Sequence, residues 1–214
     1  MIRRSVGVYG GTFDPIHLGH ISAALDVKQS LQIDEMRMVL SATPPHRHQP
    51  ELSAINRFSL LQSALEGEPQ LIADDSELKR QGPSYMVDTL LALRQQKSHR
   101  QSSLLLIMGA EAFSSFMSWH RWQEIIKLAH IVVTTRAGFS NQLSDELNEY
   151  IAAFITADKS QLKEQTHGKI YQLPVAAINI SATEIRRRLK ITEPVEELLP
   201  INTWELIRKH GFYT

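Results

Sequence analysis

Apolar positions in this chain follow two rhythms that take turns. Compact apolar runs stand at Ser5-Val6-Gly7-Val8-Tyr9, at residues 36–40, 70–73 and 103–108, and at Ile131-Val132-Val133-Thr134. Between them, apolar side chains return every three or four positions, the spacing of one helical face. One such face runs from 19 to 31. A second covers 54–65 through Ile55, Phe58, Leu61 and Leu65 and stops at Gly67. A third covers 84–95 through Met86, Val87, Leu90, Leu91 and Leu93, with Pro83 just ahead of its start. The run at 103–108 is continuously apolar, as a strand buried on both faces should be. From 140 to 165 the chain is polar and acidic. Residues 169–173 and 177–180 read as short extended pieces, and 183–189 and 203–210 as closing helices, the last stopped by Gly211.

Strands alternating with helices predict an α/β fold: a Rossmann-like, doubly wound parallel sheet with helices on both faces. No internal repeat, low-complexity tract or linker divides the sequence, so one domain over 1–214 is expected, softest at 138–166. In such sheets ligands sit beyond the carboxyl ends of the strands, near a topological switch point. The glycine pair after the first strand, residues 41–50 after the second and Gly109-Ala110-Glu111 after the fourth should therefore meet at one rim.

Composition narrows the partners. The chain has 214 residues, 43% apolar and 21% charged, with 23 basic side chains balanced by 23 acidic ones. No global field draws it to nucleic acid or to a membrane. It has no cysteine, which excludes disulfides and thiolate chemistry. Met1-Ile2-Arg3-Arg4 leads straight into the first strand without a signal-peptide pattern, and no apolar run nears membrane-spanning length. A cytoplasmic protein is expected.

Candidate chemistry concentrates in Gly10-Gly11-Thr12-Phe13-Asp14-Pro15-Ile16-His17-Leu18-Gly19-His20. Glycines beyond a strand let backbone approach a ligand closely, and the following helix presents unpaired N–H groups to phosphate. His17 and His20, three residues apart at the helix start, should point into the same space. Held imidazole donors suit phosphoryl and nucleotidyl transfer, where charge on phosphate oxygens must be stabilised. Asp14, His17, His20 and His46 or His48 also supply enough ligands for a metal-dependent hydrolase, although no zinc-type spacing is present. Asp14 has a plainer reading as an acceptor of backbone N–H groups. Ser181-Ala182-Thr183-Glu184-Ile185-Arg186 is a capping box, and the helix start it caps also favours anions. Thr43-Pro44-Pro45-His46-Arg47 reads as a rigid proline loop carrying charge, with Arg57 on the next helix a weaker candidate for the same pocket.

The stretch from Gly10 to His20 resembles the signature of the nucleotidyltransferase superfamily with the His-x-Gly-His motif, most nearly its bacterial nicotinate-nucleotide adenylyltransferase family. The resemblance implies an enzyme of NAD biosynthesis that joins ATP to nicotinate mononucleotide, giving deamido-NAD and pyrophosphate. It implies catalytic roles for His17, His20 and Arg186. ATP would meet Gly10, Gly11, Thr12 and Phe13, the ribose site at Gly109 and Glu111, and the Ser-x-Thr-x-x-Arg motif at Ser181, Thr183 and Arg186. Nicotinate mononucleotide would meet Arg47, where the family commonly has lysine, then Ser84, Tyr85 and the backbone of Met86, where it has threonine. Trp119 would stack on the nicotinate ring and His120 would add an N–H, with Trp122 left to the core. Glu111 stands where the family has aspartate, and Arg136 is the remnant of its Arg-Arg-Pro-Gly run. No protein-only metal site is implied, and Mg2+ would be held mainly by nucleotide phosphates.

Other readings stay open. One is a related enzyme using nicotinamide mononucleotide or phosphopantetheine as acceptor. Another is a nucleotide-binding module that keeps the fold without the chemistry, motivated by Glu111, Met86 and Ala137. Class I aminoacyl-tRNA synthetases share a similar histidine motif, but this chain is short and lacks their Lys-Met-Ser-Lys-Ser-like loop and a basic RNA surface.

Overall fold

The computed structural model describes residues 2–45, 49–135, 143–176 and 180–214. Its elements follow the order β1 (Ser5–Gly11), α1 (Leu18–Leu31), β2 (Glu35–Leu40), α2 (Ala54–Leu65), β3 (Leu71–Asp74), α3 (Met86–Gln95) and β4 (Ser103–Gly109). Then come α4 (Ala110–Ser114), α5 (Trp122–Leu128), β5 (His130–Thr135), α6 (Asp145–Ile151), α7 (Gln161–Glu164), β6 (Ile170–Pro174), α8 (Ala182–Lys190) and α9 (Ile201–His210). The six strands form one parallel sheet in the order β3-β2-β1-β4-β5-β6. This is the doubly wound Rossmann-like arrangement, with its switch point between β1 and β4.

Period-two alternation along each strand sends neighbouring side chains to opposite faces. In β4, Leu105 and Ile107 join the core built with α1, α2, α8 and α9. Leu104, Leu106 and Met108 join the other core, built with α3, α4, α5 and α6. Both faces are thus covered, which is why β4 carries no polar face.

Several boundaries differ from the sequence expectation. Gly10 and Gly11 continue β1, pairing with Val39 and Leu40 of β2, so the glycine pair ends the strand instead of forming a turn beyond it. Helices α4 and α5 are too short to show a periodic stripe, yet they bury Phe113, Ile125 and Ile126. The stretch expected to be softest, 138–166, contains α6 and α7, whose Leu147, Ile151 and Leu162 are fully packed. Residues 138–142 of that region, and 177–179 of the extended piece expected at 177–180, lie outside the described residues. Ile180 belongs to no strand. Helix α9 ends as expected at Gly211, which takes a left-handed φ of 63° and closes the helix through Phe212 N–H to Ile207 O. No helix among the described residues is long and apolar enough to cross a membrane.

Candidate active site

Parallel strands that all enter the sheet from the same side leave it at one rim. There a cleft of about 1540 Å³ opens over the carboxyl ends of β1, β2, β4 and β5 and runs to the start of α8. The three loops expected to converge do so.

His17 is the N-cap of α1, in extended backbone, and its side chain makes no capping bond among the described residues. Its ring stacks on His20, centroids 3.7 Å apart and planes 25° from parallel, and both line the cleft. Phe13 meets the edge of His20 at 5.2 Å. His17 is buried, and burial pushes its pKa down to about 4, so its ring is neutral at neutral pH. Its Nδ1 is buried and has no hydrogen-bond partner among the described residues. Unsatisfied buried polar atoms are uncommon, and this one belongs to a residue that lines the cleft.

The glycines do something other than expected. A Cβ on Gly10 would stand 2.6 Å from Met86 Cε, and one on Gly11 would run into the ring of Phe13. The missing side chains at 10 and 11 therefore admit two of the chain's own side chains. Phe13 itself takes a left-handed φ of 46°, a costly setting for a bulky residue. Gly109 differs: a Cβ there would meet no described atom within 4 Å.

Asp14 is engaged on every side. Its carboxylate accepts from Glu51 N (2.9 Å), Leu52 N (3.4 Å) and the hydroxyl of Tyr213 (2.8 Å), near the far end of the chain. Its main-chain oxygen accepts from Arg186 Nη1 at 2.6 Å. The plainer reading of Asp14, as an acceptor of backbone N–H groups, matches what it does, although the backbone is that of residues 51 and 52. Arg186 also donates from Nε to Glu51 Oε1 at 3.1 Å. Arg57 does not join that pocket: it is fully buried, does not line the cleft, and four of its five guanidinium N–H groups donate to the carbonyls of Thr12, Ser41, Ala42 and Leu52. Ser181 caps α8 by accepting from Glu184 N at 3.2 Å. The Glu184 carboxylate is taken by Arg187 and Arg188 one turn on.

At the other end of the cleft, Ser84 exchanges two hydrogen bonds with Thr43, through N–H to Thr43 O and Thr43 N–H to its hydroxyl. Tyr85 is the N-cap of α3 and stacks on His120 at 4.1 Å, and Met86 begins the helix. Trp119 lines the cleft. Trp122 packs edge-on against Tyr150 at 4.6 Å, on the core side. Exposed Glu111, in the first turn of α4, and exposed Thr183 line the cleft, as do Gly109, Thr12, Phe13 and Ser181. Arg47 and Arg136, like His46 and His48, lie outside the described residues. Among the described residues no three His, Cys, Asp or Glu side chains form a group able to hold a metal.

Three residues gain a role that the sequence alone did not assign: Glu51 and Glu77, which line the cleft, and buried Tyr213. Glu77 is buried, accepts from the Thr89 hydroxyl and keeps Oε2 without a partner among the described residues. Glu51 and Tyr213 reach Arg186 and Asp14 from afar. The first two stand in polar stretches that read as turns, and Tyr213 lies 199 positions from its partner, so no local pattern signals any of them.

A family model described as Cytidylyltransferase-like matches residues 8–188. The chain is 38% identical over 212 residues to a Pseudomonas fluorescens protein named "Probable nicotinate-nucleotide adenylyltransferase", covering 98% of this chain and 97% of that one. It is 40% identical over 210 residues to a protein of the same name from Hydrogenovibrio crunogenus, covering 98% of each. The solved structure of Plasmodium falciparum nicotinic acid mononucleotide adenylyltransferase complexed with NaAD superposes with a TM-score of 0.72 at 15% identity, over 98% of this chain and 97% of that one. At that identity the likeness speaks for the fold.

Proposed function

This chain belongs to the cytidylyltransferase-like family and, within it, to the nicotinate-nucleotide adenylyltransferases, and on that premise we propose how its cleft joins ATP to nicotinate mononucleotide. A phosphate oxygen of the mononucleotide attacks the α-phosphorus of ATP in line. The bond from that phosphorus to the bridging oxygen breaks, and pyrophosphate leaves with the electron pair, giving deamido-NAD. Nothing in this step requires a covalent enzyme intermediate, so the residues act by alignment and by charge stabilisation. The observation that carries the reading is the stacked His17–His20 pair at the switch-point rim, with a buried ring nitrogen that no described residue satisfies.

In this reading His17 and His20 donate to oxygens around the α-phosphorus, and Ser181, Thr183 and Arg186 hold the β- and γ-phosphates. Gly109 and Glu111 take the ribose. Ser84, Tyr85, the Met86 N–H, Trp119 and His120 seat the nicotinate, and Arg47 meets its phosphate. Magnesium is the metal we propose. Asp14 has its carboxylate committed within the protein, which fits a cation held by phosphate oxygens and water better than a protein cage. When bound, it neutralises charge on the phosphates.

Acceptor choice tests the reading. Turnover with ATP is expected to be faster for nicotinate mononucleotide than for the nicotinamide form by about tenfold or more, because N–H donors reward a carboxylate and have no match for an amide donor. Equal turnover, or preference for the amide or for phosphopantetheine, would overturn the acceptor assignment. No pyrophosphate with any acceptor would leave a binding module.

Gly109 gives a second test, since its Cβ space is open in the protein alone. Gly109→Ala is expected to keep its melting temperature while the KM for ATP rises several-fold, about 1 kcal/mol of lost ground-state binding. An unchanged KM would move the ribose elsewhere.

A further inference from the structure

Two cations converge on one carboxylate oxygen at the edge of the cleft. Glu51 Oε1 lies 3.1 Å from Arg186 Nε and 2.9 Å from Lys190 Nζ. Arg186 and Lys190 stand one turn apart on α8, so their side chains share a face. Glu51 comes from the segment between β2 and α2, and Lys190, foremost, with Arg186 holds its carboxyl below the usual range. A carboxylate bridging two cations marks where an anion is stabilised. Glu51 and Lys190 are both well exposed, so the contact is weak and open to exchange with a more highly charged ligand.

We propose that Lys190 and Arg186 together form the seat for the terminal phosphates of the donor, and that Glu51 fills this seat until a pyrophosphate-bearing ligand displaces it. The inference rests on the donor-nucleotide reading of the cleft and adds Lys190 as a binding residue and Glu51 as its internal competitor. A pyrophosphate group brings several anionic oxygens where Glu51 brings one shared oxygen, so two charge-assisted contacts replace a bridged one.

Calorimetric titration of the full chain with inorganic pyrophosphate, and separately with AMP, tests this. Lys190→Gln is expected to weaken pyrophosphate about tenfold, Lys190→Arg to restore most of it, and Glu51→Gln to tighten it several-fold. AMP, which lacks the terminal phosphates, should bind all variants alike. Unchanged pyrophosphate affinity in Lys190→Gln, weaker binding in Glu51→Gln, or an equal shift for AMP would overturn the proposal. The expected pattern in a chain unable to make deamido-NAD would uphold the seat and overturn the reaction alone.

Discussion

His17→Ala, in protein that still folds, is expected to turn over about 10²-fold more slowly or worse, the scale of one lost transition-state donor. His20→Ala should fall in the same range. The reason is positional. His17 is fixed as the N-cap of α1, its ring is clamped against His20 at 3.7 Å, and the edge contact from Phe13 holds His20 in turn. A donor that is already in place stabilises charge developing on phosphate oxygens without reorganising first. Because burial holds the ring of His17 neutral at neutral pH, what it offers is an N–H at a fixed place and no full positive charge. The loss should appear mainly in kcat, with the KM for ATP changed little, since the interaction strengthens as charge builds. Circular dichroism and melting temperature establish folding, and pyrophosphate release measures turnover. A folded variant with near-normal kcat would remove the imidazole pair from the chemistry.

That pair was readable because everything it needs is local. Strand, glycines, histidines and helix follow one another within a few residues, and α2 was found over the same residues that its apolar spacing marked. The tryptophans were harder. Three positions apart, Trp119 and Trp122 would share a face of one continuous helix. The chain instead leaves a 3-10 turn at Ser118, and Arg121 takes a left-handed φ of 52° before α5 begins at Trp122. Both rings still meet Phe116, at 5.9 and 5.7 Å, but Trp119 lines the cleft while Trp122 goes on to Tyr150. Glu51 on Arg186 and Tyr213 on Asp14 could not be read at all, because their pairing is made by the sheet's winding and leaves no periodic trace. Likewise, Gly10 and Gly11 announce a close approach without saying whether a ligand or a side chain approaches.

Arg57 was misjudged for the same reason, and its replacement should have the largest effect on stability. On α2, beside a proline loop, an arginine looks like a surface cation awaiting a phosphate. In the fold it is fully buried and donates to Thr12 O (2.6 Å), Ser41 O (2.8 Å), Ala42 O (2.9 Å) and Leu52 O (3.2 Å). These carbonyls belong to the end of the glycine loop and to both ends of the segment joining β2 to α2. One guanidinium therefore fastens the loop after β1 to both ends of the segment joining β2 to α2. Arg57→Met keeps most of the aliphatic volume but strands buried carbonyls. Each lost partner costs about 1–3 kcal/mol, discounted because a carbonyl has a second lone pair and the loops relax. A net loss of about 3–5 kcal/mol is expected in chemical denaturation. Arg57→Lys should recover little, since an ammonium cannot span carbonyls that a planar fork reaches together. Should Arg57→Met unfold with a stability within 1 kcal/mol of the parent, the loops would owe their place to packing and to Asp14.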